Sequence, residues 1–123
     1  MPRVLLVDDA ATIRHYFSTV LHHAGFEIDE AENGVEALEK ALNGRFDLLL
    51  VDVNMPRMDG ITFLRRLHDH QQTVQIPTVV ATTEVSRSVM RDALAAGAAC
   101  VLRKPVDPER LTRIATRLTG APQ

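Results

Sequence analysis

The sequence predicts an α/β protein: a doubly wound, five-stranded parallel sheet with five helices covering both faces. Three observations predict it. Strand-like and helix-like stretches alternate five times along 123 residues, with no repeat or low-complexity tract, and strict β–α alternation implies a parallel sheet with helices on both sides. The strand-like stretches are short continuous apolar runs, such as Val4-Leu5-Leu6-Val7 and Leu48-Leu49-Leu50-Val51, as strands buried on both faces require. Two of these runs stop abruptly at acids, Asp8-Asp9 and Asp52, as strands emptying into a polar crevice would.

The first strand spans about 3–7. The helix after it places Ile13, Phe17, Val20, Leu21 and Ala24 on one face and stops at Gly25, a C-terminal cap. A second strand runs from Phe26 to about Glu30. Asn33 and Glu36 then form a capping-box-like start for a helix carrying Val35, Leu38, Ala41 and Leu42, closed by Gly44. The third strand is 46–51. A helix starting near Gly60 buries Ile61, Leu64 and Leu67, and a fourth strand follows Pro77, from Thr78 to about Ala81. The fourth helix, about 87–96, ends at Gly97, ahead of a fifth strand at about 99–102. Asp107 as N-cap and Pro108 at the first helical position open the last helix, with Leu111, Ile114, Ala115 and Leu118 as its apolar stripe. That helix ends about four residues before the C-terminus, so residues 1–123 are expected to form one domain with no room for an output domain.

Composition narrows the functional classes. An apolar content of 46% suffices for a core. The net charge is −2, the pI is near 6.2, and arginines are scattered among sixteen acids, which leaves no nucleic-acid footprint. No apolar stretch approaches the roughly 20 residues of a membrane span, and Met1-Pro2-Arg3 runs straight into a strand, so neither a membrane segment nor a signal peptide is expected. The single cysteine, Cys100, cannot form an internal disulfide; it reads as core packing in a reducing, cytoplasmic protein.

In a parallel sheet all strand C-termini lie on one edge, where ligands bind. Four of five strand ends carry reactive residues: Asp8 and Asp9 after the first, Asp52 after the third, Thr82 and Thr83 after the fourth, Lys104 after the fifth. Adjacent unit charges about 4 Å apart repel by roughly 4 kcal/mol at an effective dielectric of about 20, so three carboxylates at one edge need a cation. Hard oxygen ligands favour Mg2+. The chemistry that fits is phosphoryl transfer onto an aspartate, with a metal at Asp8 and Asp9 and with a threonine hydroxyl and the Lys104 ammonium on the remaining phosphoryl oxygens.

These residues resemble the response-regulator receiver domain, above all the single-domain, CheY-like chemotaxis regulators. The resemblance spans essentially the whole chain: Val7-Asp8-Asp9, Glu32-Asn33-Gly34-Val35-Glu36-Ala37-Leu38, Asp52-Val53-Asn54-Met55-Pro56-Arg57-Met58-Asp59-Gly60, Ile76-Pro77, Ala81-Thr82-Thr83-Glu84, Ala96-Gly97-Ala98 and Lys104-Pro105. It implies the flavodoxin-like strand order 2-1-3-4-5. It also implies that Asp52 is the phosphoacceptor; that Asp9, Asp52 and the Asn54 carbonyl ligate Mg2+, with Asp8 acting through water; and that Thr82 donates to the attached phosphoryl group. Lys104 would pair with Asp52 at rest and with a phosphoryl oxygen when active, across a cis bond to Pro105. Asn54 and Glu84 would tune access of the hydrolytic water, and Thr83 belongs to the same switch loop.

One position departs from the chemotaxis pattern: Val101 stands three residues before the lysine, where those regulators carry an aromatic. A stiff β-branched side chain cannot act as an aromatic gate.

The implied function is a phosphorylation switch rather than an enzyme: a monomer charged by a histidine kinase and signalling through its helix 4, strand 5 and helix 5 surface to a flagellar switch or other effector. A phosphorelay intermediate serving a histidine phosphotransferase, or a receiver excised from a longer regulator, is the alternative. An aspartate-nucleophile phosphatase would need an acid at Asn54, and a nucleotide or flavin site would need glycines where Asp8-Asp9-Ala10 stand. The five histidines, the arginines of the third and last helices, and Asp29 and Glu30 read as solvated surface. Met55 and Met58 read as packing in the loop after the third strand.

Overall fold

The computed structural model describes residues 1–120. Five parallel strands, β1 (Arg3–Val7), β2 (Glu27–Ala31), β3 (Leu48–Val51), β4 (Thr78–Thr82) and β5 (Cys100–Arg103), lie in the order β2-β1-β3-β4-β5. Between and after them come α1 (Ala11–His23), α2 (Gly34–Asn43), α3 (Gly60–His68), α4 (Arg87–Ala95) and α5 (Pro108–Thr119). The predicted architecture and strand order are therefore present.

Side chains alternate between the two sheet faces with period two. Leu5, Val7, Leu49, Val51 and Val80 face one way and pack with Ala37, Ala41, Phe63, Leu64, Leu67 and Ala93 of α2, α3 and α4. Val4, Leu6, Leu48, Leu50, Val79 and Leu102 face the other way, onto Phe17, Leu21, Leu111 and Ala115 of α1 and α5. Both faces are thus covered, and the central strands β1, β3 and β4 carry no exposed apolar residue.

Local signals hold where the chemistry is local. The Asn33 side chain accepts from the Glu36 N–H, Asp107 caps α5 ahead of Pro108, and Gly25, with φ +99°, follows the end of α1. Boundaries move by one or two residues. β3 starts at Leu48 because Phe46 and Asp47 form the entry turn, where Asp47 exchanges main-chain and carboxylate hydrogen bonds with Arg3 at 2.8 Å. β4 extends to Thr82 because its carbonyl accepts from the Lys104 N–H at 2.9 Å.

Two surface assignments need correction. Asp29 and Glu30 are half-buried and paired: Asp29 with Lys40 at 3.1 Å, Glu30 with Arg14 at 2.9 Å. Burial on β2 demands counter-charges, and the helices on either side supply them. Met55 and Met58 pack against the core as expected; of the five histidines read as surface, His15, His22, His23 and His68 are exposed and His70 is half-buried.

Candidate functional site

Register explains why residues far apart in sequence meet. Val7 lies beside Val51 in the β1–β3 pair, so Asp8 and Asp52 leave the sheet side by side, and the Asp52 N–H donates to the Val7 carbonyl at 2.8 Å. Thr82 ends β4 opposite Arg103 of β5, which delivers Lys104 to the same edge. One carboxylate oxygen from each of Asp8, Asp9 and Asp52 falls within 4.8 Å of the others.

The Lys104 ammonium sits beside Asp8 and Asp52 with its side chain 9% exposed. Its shortest contact is with Asp8 Oδ2, and Asp52 Oδ1 is 3.4 Å away. The expected resting pair with Asp52 is thus the longer arm of a bridge. Asp8 is the more deeply buried acid, at 3% exposure against 8% for Asp52, so its need for a counter-charge is greater. The second oxygen of Asp8 accepts from the Ala10 N–H at 2.9 Å. Asp9 is exposed and makes no side-chain hydrogen bond or ion pair among the described residues. Burial pushes the Asp52 carboxyl above its ordinary pKa; Lys104 opposes that shift and the Asp8 charge reinforces it.

Thr82 is fully buried, and its hydroxyl accepts from the Glu84 N–H at 3.2 Å, leaving its proton to donate. The Asn54 amide donates to Glu84 Oε2 at 3.0 Å, so the two residues expected to tune water access bridge the β3–α3 and β4–α4 loops. Thr83 is exposed at the start of the same loop. Val101 is half-buried and packs against the α2–α3–α4 core. The Lys104–Pro105 bond is cis. Of the candidate site residues, Asp8, Asp9, Asp52, Asn54, Thr82, Thr83, Glu84 and Lys104 lie at this one sheet edge, and Val101 has a packing role instead.

Three supporting contacts were missed from the sequence. Gly60 opens α3 against the backbone of Asp52 so closely that an added Cβ would lie 2.2 Å from the Asp52 carbonyl oxygen. Tyr16 donates its hydroxyl to the Val106 carbonyl at 2.8 Å, two residues beyond Lys104. Arg14 donates Nη1 to the Asp8 carbonyl at 2.6 Å. A signal for Arg14 existed: a cation at the start of a helix opposes the helix dipole, so it needs a specific partner.

The donor set suits a hard divalent cation. All three ligand candidates are carboxylates, and a single ammonium balances only one of them.

Known proteins resemble this chain over most of its length. The family model described as "Response regulator receiver domain" matches residues 4–116. The chain is 38% identical to the chemotaxis protein CheY of Bacillus subtilis over 110 residues, 89% of this chain and 90% of that one. The structure of Vibrio cholerae chemotaxis protein CheY4 superposes with a TM-score of 0.90 at 40% identity, covering 96% of this chain and 98% of that one. The receiver domain of the sensor histidine kinase PA1611 of Pseudomonas aeruginosa, described with magnesium coordinated in its active-site cleft, has a TM-score of 0.90 at 25% identity over 97% of this chain and 98% of its own. A 41% identical protein-glutamate methylesterase/protein-glutamine glutaminase of Archaeoglobus fulgidus aligns over 84% of this chain, which spans only 30% of that relative's length. No helix among the described residues is long and apolar enough to cross a membrane. With the strand order, the acidic edge and these kinships in agreement, the chain belongs to the response-regulator receiver domains and is CheY-like in kind.

Proposed function

We propose that this chain is a cytoplasmic phosphorylation switch: Asp52 accepts a phosphoryl group from the phosphohistidine of a histidine kinase, and the altered α4–β5–α5 surface signals to a chemotaxis or motility effector. The single observation carrying this reading is the convergence of Asp8, Asp9 and Asp52 at one sheet edge, with Lys104 paired to Asp8 and Asp52. In the transfer the donor's N–P bond breaks, an Asp52 carboxylate oxygen forms the new O–P bond, and the imidazole leaves. Asp52 attacks; Lys104 offsets charge on the phosphoryl oxygens; the Thr82 hydroxyl donates to one of them.

Mg2+ would be held by Asp9, Asp52 and the Asn54 carbonyl, and would supply Lewis-acid neutralisation of the negative charge on the transferring group. The engagement of both Asp8 oxygens, against the free carboxylate of Asp9, supports giving Asp8 the indirect role. The Asn54–Glu84 bridge supports a role for that pair in admitting hydrolytic water.

A second reading, a relay that passes its phosphoryl group to a histidine phosphotransferase, is favoured by Val101, which offers the α4–β5–α5 face no gating ring. Incubation with acetyl phosphate and Mg2+, followed by intact mass, tests the acceptor role. Wild type should gain one phosphoryl group only with metal, and Asp52→Asn none. Equal labelling of Asp52→Asn would remove that residue from its role.

A further inference from the structure

The acid Asp9 has nothing of its own to aim it. It is exposed, and its carboxylate has no hydrogen-bond or ion-pair partner among the described residues. Its direction is therefore inherited from the main chain on either side of it, which the Asp8 carboxylate holds at the Ala10 N–H, 2.9 Å away, and Arg14 holds at the Asp8 carbonyl. Arg14 Nη1 donates to the Asp8 carbonyl at 2.6 Å, while its Nε donates to Glu30 Oε1 at 2.9 Å. The main chain of Asp8 is fixed on its other side as well, its N–H donating to the Ala31 carbonyl at 3.1 Å. Arg14 is the less exposed partner of its ion pair, at 14% against 45% for Glu30. A planar guanidinium with two edges engaged is a rigid strut rather than a floating charge.

Nothing else about α1 explains a cation there. The helix starts at Ala11, its N-cap Ala10 gives no side-chain cap, and no acid lies in its first turn. The dipole disfavours positive charge at that end, so the contacts with Asp8 and Glu30 have to compensate.

Resting on the Mg2+ reading above, we propose that Arg14 is a positioning residue for metal binding. It orients the Asp8–Asp9 peptide so that the Asp9 carboxylate faces Asp52, and Glu30 of β2 holds Arg14 in that pose. Groups that orient metal ligands contribute about 10–100-fold to affinity when removed.

Geometry and charge give opposite signs, which makes the role testable. Were Arg14 only a nearby positive charge, its neutralisation would tighten binding of a cation, and Arg14→Lys would leave it unchanged. As a strut, both variants weaken it, because lysine keeps the charge but cannot make both bonds at once. The measurement is the Mg2+ dissociation constant by calorimetric titration of wild type, Arg14→Met and Arg14→Lys, with the urea midpoint of each in EDTA. We expect Mg2+ to bind about tenfold more weakly to Arg14→Met, and several-fold more weakly to Arg14→Lys, with midpoints in EDTA close to wild type. Labelling at saturating Mg2+ should stay within about twofold of wild type, with only the half-saturating Mg2+ displaced. Unchanged or tighter binding by folded Arg14→Met, or wild-type affinity in Arg14→Lys, overturns the proposal. If Arg14→Met does not fold, Arg14→Lys decides by the same criterion, since it keeps the charge and loses only the paired geometry. Failure of wild type itself to bind Mg2+ overturns the metal reading as well, and so is distinguishable.

Discussion

Asp52→Asn should stabilise the metal-free protein, although it deletes one end of an ion pair. Lys104 Nζ lies 3.4 Å from Asp52, an attraction of about 5 kcal/mol at an effective dielectric of about 20. Against it stand Asp8 and Asp9, with ligand oxygens within 4.8 Å. The buried Asp8 repels by about 3.5 kcal/mol, and the exposed Asp9 by roughly half that after solvent screening. These terms nearly cancel, so desolvation decides the sign, in keeping with burial as the leading cause of the raised Asp52 pKa. Neutralisation should then gain about 1–2 kcal/mol at pH 7 in EDTA, with Lys104 still held by Asp8.

A carboxyl that binds its proton more tightly when folded makes folding less favourable as pH rises from the unfolded pKa through the folded one. The advantage of asparagine is therefore full above the raised folded pKa of Asp52 and fades as pH falls through it toward 3.8. Magnesium should invert the ranking, since a ligand at 100 times its Kd stabilises the wild type by about 2.7 kcal/mol. Urea unfolding of both proteins, with EDTA and with Mg2+, at neutral and acid pH, measures all of this. An Asp52→Asn protein less stable than wild type in EDTA at pH 7 would refute the reasoning. The acids would then be net partners of Lys104 rather than charges awaiting a cation.

Two further substitutions probe the supports of the site. Gly60→Ala should destabilise by about 1–3 kcal/mol or more, because its Cβ meets the backbone of Asp52 and Val53, which cannot rotate away; chemical denaturation should show it, together with slower acetyl-phosphate labelling. Tyr16→Phe should cost about 1 kcal/mol by losing the hydrogen bond to the Val106 carbonyl. An unchanged denaturation midpoint in that variant would mean that water replaces the hydroxyl without loss.

The sequence by itself determined the fold class, the element order and the cap chemistry, because these depend on local periodicity and on side chains a few residues apart. Asn33 with Glu36 and Asp107 with Pro108 are legible for that reason. It also determined which residue types gather at the site, since in a parallel sheet every strand ends on the same edge. Only the tertiary structure decided how those charges divide their partners. The preference of Lys104 for Asp8 over Asp52 follows from relative burial, which no run of letters records. The same is true of Asp29 and Glu30, whose partners Lys40 and Arg14 come from helices on either side of β2. Arg14 bonds the Asp8 carbonyl, a backbone atom every residue possesses, so side-chain identity could not announce the contact. Hydrogen bonds to main-chain atoms and degrees of desolvation arise when elements pack, and they set the electrostatics of this pocket.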